Sequence, residues 1–296
     1  LSVSALARAL APRPGDDAPP FGSPAHVALL ARAEEFAEPW EARVQQIVRD
    51  LFRRQRRAFV DRLATLGSRL RTATPDEIRL DPEAVLAHIF VRPRWTREFQ
   101  QAAFRLTADG QADGFAADVA QAAGQQLLVE IGASSTLFNV LDPEVVRALT
   151  NQAQSFAREV NQTTWNALKA TLADGLVQGE AIPQLQDRVR AVMHTRASVA
   201  EAIARTEVTR ATTIGSLNGA RQSGVITHKI WIATMDGRTR PEHLMAHGQR
   251  RKLEEDFSVG GAHGPGPGAL STEEMSVNCR CTLHFVTDLT AGEATG

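Results

Sequence analysis

Ser223-Gly224-Val225-Ile226-Thr227-His228-Lys229-Ile230-Trp231-Ile232-Ala233 is the stretch where the reading of this chain changes. Before it, from about Ser198 to Ser223, the residues read as a helix that carries Arg205, Glu207 and Arg210. Gly224 reads as its C-terminal stop, because glycine takes the left-handed cap conformation without a Cβ clash. After it, Lys229 to Ala233 alternates and is rich in β-branched residues, which predicts a strand. Met235-Asp236-Gly237-Arg238 then reads as a turn. Pro241 to about His247 reads as a short helix stopped by Gly248, Gly260 to Gly268 as a loop on the density of its breakers, and Cys281 to Val286 as a last strand.

Toward the N-terminus the chain reads as helix after helix. Apolar residues recur at helical spacing from Ala25 to about Thr72, with Leu29, Phe36, Trp40, Val44, Ile47 and Leu51 among them. Pro75-Asp76-Glu77 and Asp81-Pro82-Glu83 look like helix starts, with proline in the first turn. Glu83 to Leu106 reads as a helix bent at Pro93, residues 113–128 as another, and Val145 to Val177 as a long one that Asp142-Pro143-Glu144 opens. Ile182-Pro183-Gln184 starts a short helix to His194. Leu127 to Leu141 stays ambiguous between strand and buried helix. The predicted class is α+β and mostly α: a long helical N-terminal region followed by a small C-terminal module with few strands. The expected division is a proline-rich flexible arm or docking tail at 1–24, a helical region at 25–145, the module at 146–287 and a small polar tail at 288–296.

Composition narrows the function classes. The net charge is −1, so no global attraction to nucleic acid exists. Residues 25–72 are locally basic, and Arg53, Arg54, Arg56 and Arg57 cluster between Phe52 and Phe59. That cluster is a face for DNA or an acidic partner, or a solvated helix face whose arginine stems cover apolar neighbours. No apolar run is long enough to span a membrane, and the N-terminus shows no signal-peptide pattern. The two cysteines, one residue apart, are not a disulfide staple.

The chemistry-bearing residues concentrate between Ala204 and Phe285, with both cysteines and most of the histidines. His243 and His247 share a face on a helix, and Cys279 and Cys281 share a face on a strand, which makes a candidate tetrahedral zinc set. The competing reading is two packed thiols beside hydrogen-bonding histidines. Arg205, Glu207, Arg210, Asp236, Arg238, Arg240, His243, Asn278 and Arg280 supply both signs of charge and predict a polar network that braces loops against the helix. The functional alternative for the same residues is an anion or nucleotide site with a catalytic glutamate. No nucleophile elbow, P-loop or dinucleotide fingerprint is present. Trp231 reads as core.

Arg205-Thr206-Glu207 with Arg210-Ala211, Gly224, Trp231-Ile232-Ala233, Asp236 with Arg238-Thr239-Arg240 and His243, Gly248, Phe257 and Asn278-Cys279-Arg280-Cys281 stand in an order that resembles the phage Mu protein F / SPP1 minor head protein family of head morphogenesis proteins. The resemblance covers roughly 150–286. It implies a minor capsid component at the portal vertex, present in few copies, with portal protein and major capsid or scaffold proteins as partners. Some family members bind DNA and influence its delivery, so double-stranded DNA is a further partner. It implies a place in the virion or procapsid interior, reached through the host cytoplasm, and no small-molecule substrate, recognised enzymatic activity or cofactor apart from the candidate zinc. Only His243 matches the family's histidine, so the metal set contracts to His243, Cys279 and Cys281 with another ligand such as Asp236. Two other classes stay open. One is an ADP-ribosyltransferase-like or nuclease-like module in which Glu207, Arg238 and His243 line an open cleft. The other is a DNA-binding helper acting through the 53–57 arginines.

Overall fold

The structure, a computed structural model, describes residues 18–70 and 82–287. The expected helix start at Pro75-Asp76-Glu77, the first part of the arm and the tail from 288 lie outside the described residues. In chain order the helices are α1 (Pro24–Leu70), α2 (Pro82–Ile89) and α3 (Arg92–Ala103). The short strands β1 (Arg105–Leu106) and β2 (Ala112–Asp113) follow, then α4 (Phe115–Glu130), α5 (Pro143–Val177), α6 (Ile182–Ser198) and α7 (Ala200–Ser223). The C-terminal part contains β3 (Ile226–Ile232), α8 (Pro241–Met245), β4 (Arg250–Lys252), β5 (Phe257–Val259), β6 (Ala262–Gly264), α9 (Glu273–Ser276) and β7 (Thr282–Thr287). The chain is therefore α+β and mostly helical.

Several elements differ from expectation for local reasons. The helix expected over 83–106 is two helices, parted at Phe90–Val91. Pro93 falls in the first turn of the second, where its missing N–H costs nothing. The ambiguous 127–141 segment is buried helix only at its start: α4 ends at Glu130, and a 3-10 turn occupies Ser135–Leu137. The 260–268 stretch is not wholly loop. Gly260 and Gly261, with φ of 58° and 81°, form the tip of the β5–β6 hairpin, in which Val259 pairs with Ala262. Positive φ at consecutive residues is what a tight hairpin turn demands.

The chain divides into two compact units. The first draws on the chain up to Val44, on Phe104–Gln152 and on the chain from Ala202 onward; the second is Gln45–Ala103 with Ala153–Glu201. The second unit is helical. Val48, Leu51, Phe52, Phe59 and Leu63 of α1 are buried at helical spacing. Phe52, Phe99 and Phe156 follow one another at centroid distances of 5.7 Å, and Phe59 stacks on Phe90 at 5.1 Å. Gln55 donates to Asn161 Oδ1 at 3.0 Å, so this core has one polar pair that fixes how α1 meets α5.

The first unit holds the strands. Its sheet is antiparallel with order β4-β3-β7. Ile230, Ile232 and Val286 pack with Leu29 of α1 on one face. Trp231 and Ala233 belong to a cluster with Phe257, Val259, Cys279 and Cys281 on the other. A bulge between Ile226 and His228 moves Ile226 out of the alternation, and Ile226 packs with Phe285 and Leu217. The described part of the expected arm docks on this unit. His247 Nε2 lies 3.2 Å from the Pro19 carbonyl, and the Phe21 ring meets those of His26 and His247 at 5.1 and 5.2 Å. No described helix is long and apolar enough to cross a membrane.

Candidate functional site

The site is a clasp between α7 and the loops that precede and follow α9. Helix α7 presents Thr206, Thr209, Arg210 and Thr213, a row at i, i+3, i+4 and i+7 that lies along one face. Thr206 Oγ1 accepts from the Asn278 amide at 2.8 Å, and Thr209 Oγ1 donates to the Cys279 carbonyl at 3.0 Å. Arg210 Nε donates to the Gly268 carbonyl at 2.7 Å, and Thr213 Oγ1 to the Pro267 carbonyl at 2.9 Å. A segment rich in glycine and proline cannot satisfy its own backbone in ladders, so the helix side chains supply the partners.

Beneath this row lies Glu207, buried to 3%. Its Oε1 accepts from Arg210 Nη1 at 2.9 Å, and its Oε2 from Gln152 Nε2 at 3.0 Å. A buried carboxylate survives only when its lone pairs are met by charge and hydrogen bonds, and here both are. Arg205 donates to Asn278 Oδ1 at 2.7 Å and pairs with Glu41 at 3.2 Å.

Asp236 is the centre of a second group. Its Oδ1 accepts from the Arg238 amide at 3.0 Å and from Thr239 Oγ1 at 2.9 Å, while its Oδ2 pairs with Arg280. Burial works against the charged form of Asp236, but the Thr239 hydroxyl, the Arg238 amide and the Arg280 charge together hold its carboxyl below the usual range. The Arg238 side chain stays exposed, and Arg240 donates to the Val277 carbonyl at 3.0 Å. Of the nine residues predicted as one polar network, Arg205 meets Asn278, Glu207 meets Arg210, Asp236 meets Arg238 and Arg280, and Arg240 reaches the Val277 carbonyl.

His243 stands in a third group. It is buried to 1%, and its Nδ1 lies 3.5 Å from Cys279 Sγ and 3.5 Å from Cys281 Sγ. Both cysteines are free thiols, buried in the apolar cluster under Trp231 and Phe257. Trp231 sits edge-on to His243 at 5.4 Å. Cys279 and Cys281 precede β7 rather than lie on it, and their convergence follows from the left-handed Asn278, φ 57°, which turns the chain before them. The neighbouring sulfur and burial push the Cys279 thiol up, while the Cys279 thiol and His243 lower the pKa of Cys281 against its burial. Among the described residues these three form the cluster of metal-type ligands.

His247 does not join them. Helix α8 ends at Met245, so the face shared at i and i+4 does not extend to it. Its Nδ1 accepts from the Ala233 amide at 3.3 Å, and its ring packs on His26 at 4.6 Å. Burial, opposed by the Pro19 carbonyl, depresses its pKa. Asp236, the alternative fourth ligand, is occupied by its own partners.

A cavity of about 640 Å³ in the same unit is lined by the 27–41 stretch of α1 and by Arg205, Thr212, Thr234, Asp236, Arg238 and Cys281, among others. Glu207 and His243 are not in its lining, so the cleft expected for an enzymatic module does not gather its three residues. In the other unit, Arg53 pairs with Asp50 at 3.0 Å, and Arg54 stands 3.9 Å from Glu98. Arg53, Arg56, Arg57 and Arg190 share one surface recess.

Sequence reasoning missed Glu41, Gln152, Thr209 and Thr213, and it named Thr206 only within the Arg205-Thr206-Glu207 motif. Only the threonines left a signal, in their helical spacing on α7.

Residues 166–284, which contain α7, the clasp and the thiol pair, match the family model described as Phage Mu protein F like protein. This segment is similar to phage Mu protein F. The chain is also 34% identical over 126 residues to the minor head protein GP7 of Bacillus phage SPP1, covering 42% of this chain and 41% of that one. It is 27% identical over 149 residues to the NAD(+)--arginine ADP-ribosyltransferase EFV of Enterococcus faecalis, covering 49% and 30%. The chain thus spans less than half the length of these curated relatives. No solved structure matches it.

Proposed function

We propose that the chain acts as a minor head protein in phage head morphogenesis, placed at the portal vertex inside the procapsid, with portal and capsid or scaffold proteins as partners. The observation that carries this reading is the segment similar to phage Mu protein F, together with the likeness of the chain to a minor head protein of a Bacillus phage. The geometry is in keeping with it. Glu207 is locked by Arg210 and Gln152, and the threonine row holds loop carbonyls, so the polar residues brace a shape. Co-expression with the portal and major capsid proteins of the same phage tests the assignment. The chain is expected to co-purify with the portal and to appear at one vertex in a procapsid reconstruction. Absence from both procapsids and portal complexes overturns it.

DNA contact through Arg53, Arg54, Arg56 and Arg57 is a finer part of the same reading, and would serve packaging or ejection. Its mark is affinity for duplex DNA that falls steeply with salt, because each phosphate contact releases counterions. Replacing the four arginines with alanine is expected to flatten that dependence; an unchanged slope removes the DNA role.

The enzymatic alternative draws on the relative named as an ADP-ribosyltransferase. Against it, Glu207 is buried and fully engaged. NAD turnover by the purified chain, abolished in Glu207→Gln, would reinstate it.

A further inference from the structure

We infer that His243, Cys279 and Cys281 bind a zinc ion that ties α8 to the segment before β7. The inference does not depend on the head-protein reading, since it rests only on the packing of three side chains.

The first argument is distance. Zinc binds sulfur at about 2.3 Å and imidazole nitrogen at about 2.0–2.1 Å in a tetrahedron, which places a ligand nitrogen about 3.6 Å from a ligand sulfur. Both Nδ1–Sγ separations here are 3.5 Å. The second argument concerns lone pairs. A neutral imidazole Nδ1 has one, and a single hydrogen bond through it does not account for two sulfurs at the same 3.5 Å. A cation between the three atoms satisfies all of them at once.

The third argument is the other nitrogen of the ring. His243 Nε2 is buried and has no hydrogen-bond partner. The side chain's polar contacts are thus made through Nδ1, the atom that faces both sulfurs, and coordination there would fix the ring's proton on Nε2. Two sulfurs and one imidazole select a soft or borderline metal over magnesium or calcium. The fourth position falls to solvent, because Cys281 also lines the 640 Å³ cavity of this unit.

The test uses the full chain, purified under reducing conditions without chelator. Elemental analysis is expected to find about one zinc per chain, the complement of a single three-ligand site. Titration of the stripped protein with cobalt(II) is expected to give the thiolate-to-cobalt charge-transfer absorption and the visible bands of a tetrahedral ion. Zinc far below stoichiometry together with no charge-transfer band overturns the site, and neither measurement needs a variant. For location, Cys281→Ala is expected to lose the cobalt signal while His243→Cys keeps it, since a third thiolate replaces the imidazole. Retention of full signal in Cys281→Ala places the metal elsewhere and overturns the assignment.

Discussion

Asn278 has the only positive φ outside glycine among the described residues, and it holds three things together. Its amide reaches Thr206, its side chain reaches Arg205, and its backbone turns the cysteines inward. Asn278→Ala removes the local polar support that asparagine gives the left-handed region, and it deletes the Arg205 contact. A loss of about 1–3 kcal/mol in urea unfolding is expected; Asn278→Gly, which keeps the backbone conformation, is expected to lose less. Lys229 gives a second residue-scale expectation. It is buried on β3, donates to the Pro265 carbonyl at 2.9 Å, and burial lowers its pKa to about 8. Between pH 8 and the ordinary lysine value the unfolded chain holds the proton and the folded chain releases it. Stability therefore rises with pH across that window, by up to about 3 kcal/mol from this group. Subtracting the pH profile of Lys229→Met from that of the parent chain should isolate the slope, and identical slopes would refute it. Neither expectation was legible beforehand: Lys229 carries an ordinary surface residue type, and the φ of Asn278 depends on a helix distant in sequence.

At the scale of elements, α4 and α7 approach closely because their facing residues are small. A Cβ at Gly215 would stand 2.2 Å from the Ala120 carbonyl oxygen, a contact with backbone that no rotamer change relieves. Gly215→Ala is expected to destabilise by about 1–3 kcal/mol through overpacking, read as a lowered urea midpoint with an unchanged slope. Glu207→Ala removes the acidic half of a buried pair and takes the carboxylate away from Arg210, so a loss of about 3–5 kcal/mol is expected in the same measurement. A loss within half a kcal/mol would mean that the pair is not braced as described. Long helices were the most legible elements, because periodicity accumulates over many turns; α1, α5 and α7 fall where their patterns predict. β3 showed itself through Ile230, Trp231 and Ile232. The β5–β6 hairpin did not, since three-residue strands beside Gly260-Gly261 carry too few side chains to display alternation, and glycine marks a loop and a tight hairpin alike. The thiol–imidazole group was readable as residue types. Its membership was not: His247 stands four residues from His243 but past the end of α8, and spacing alone cannot report where a helix stops.

At the scale of the whole molecule, neither compact unit is a continuous piece of chain. The Mu F-like segment at 166–284 takes part of each, and the strand-bearing unit also needs Leu29, Glu41 and Gln152 from upstream. Sequence likeness and physical autonomy therefore part company here. A recombination crossover at residue 166 would transplant a recognisable signature while leaving behind the surfaces that cover its sheet and the amide that hydrogen-bonds its glutamate. This region can be exchanged only where the recipient chain's own leading helices already offer an equivalent bed, which ties the drift of the tail half to that of the front.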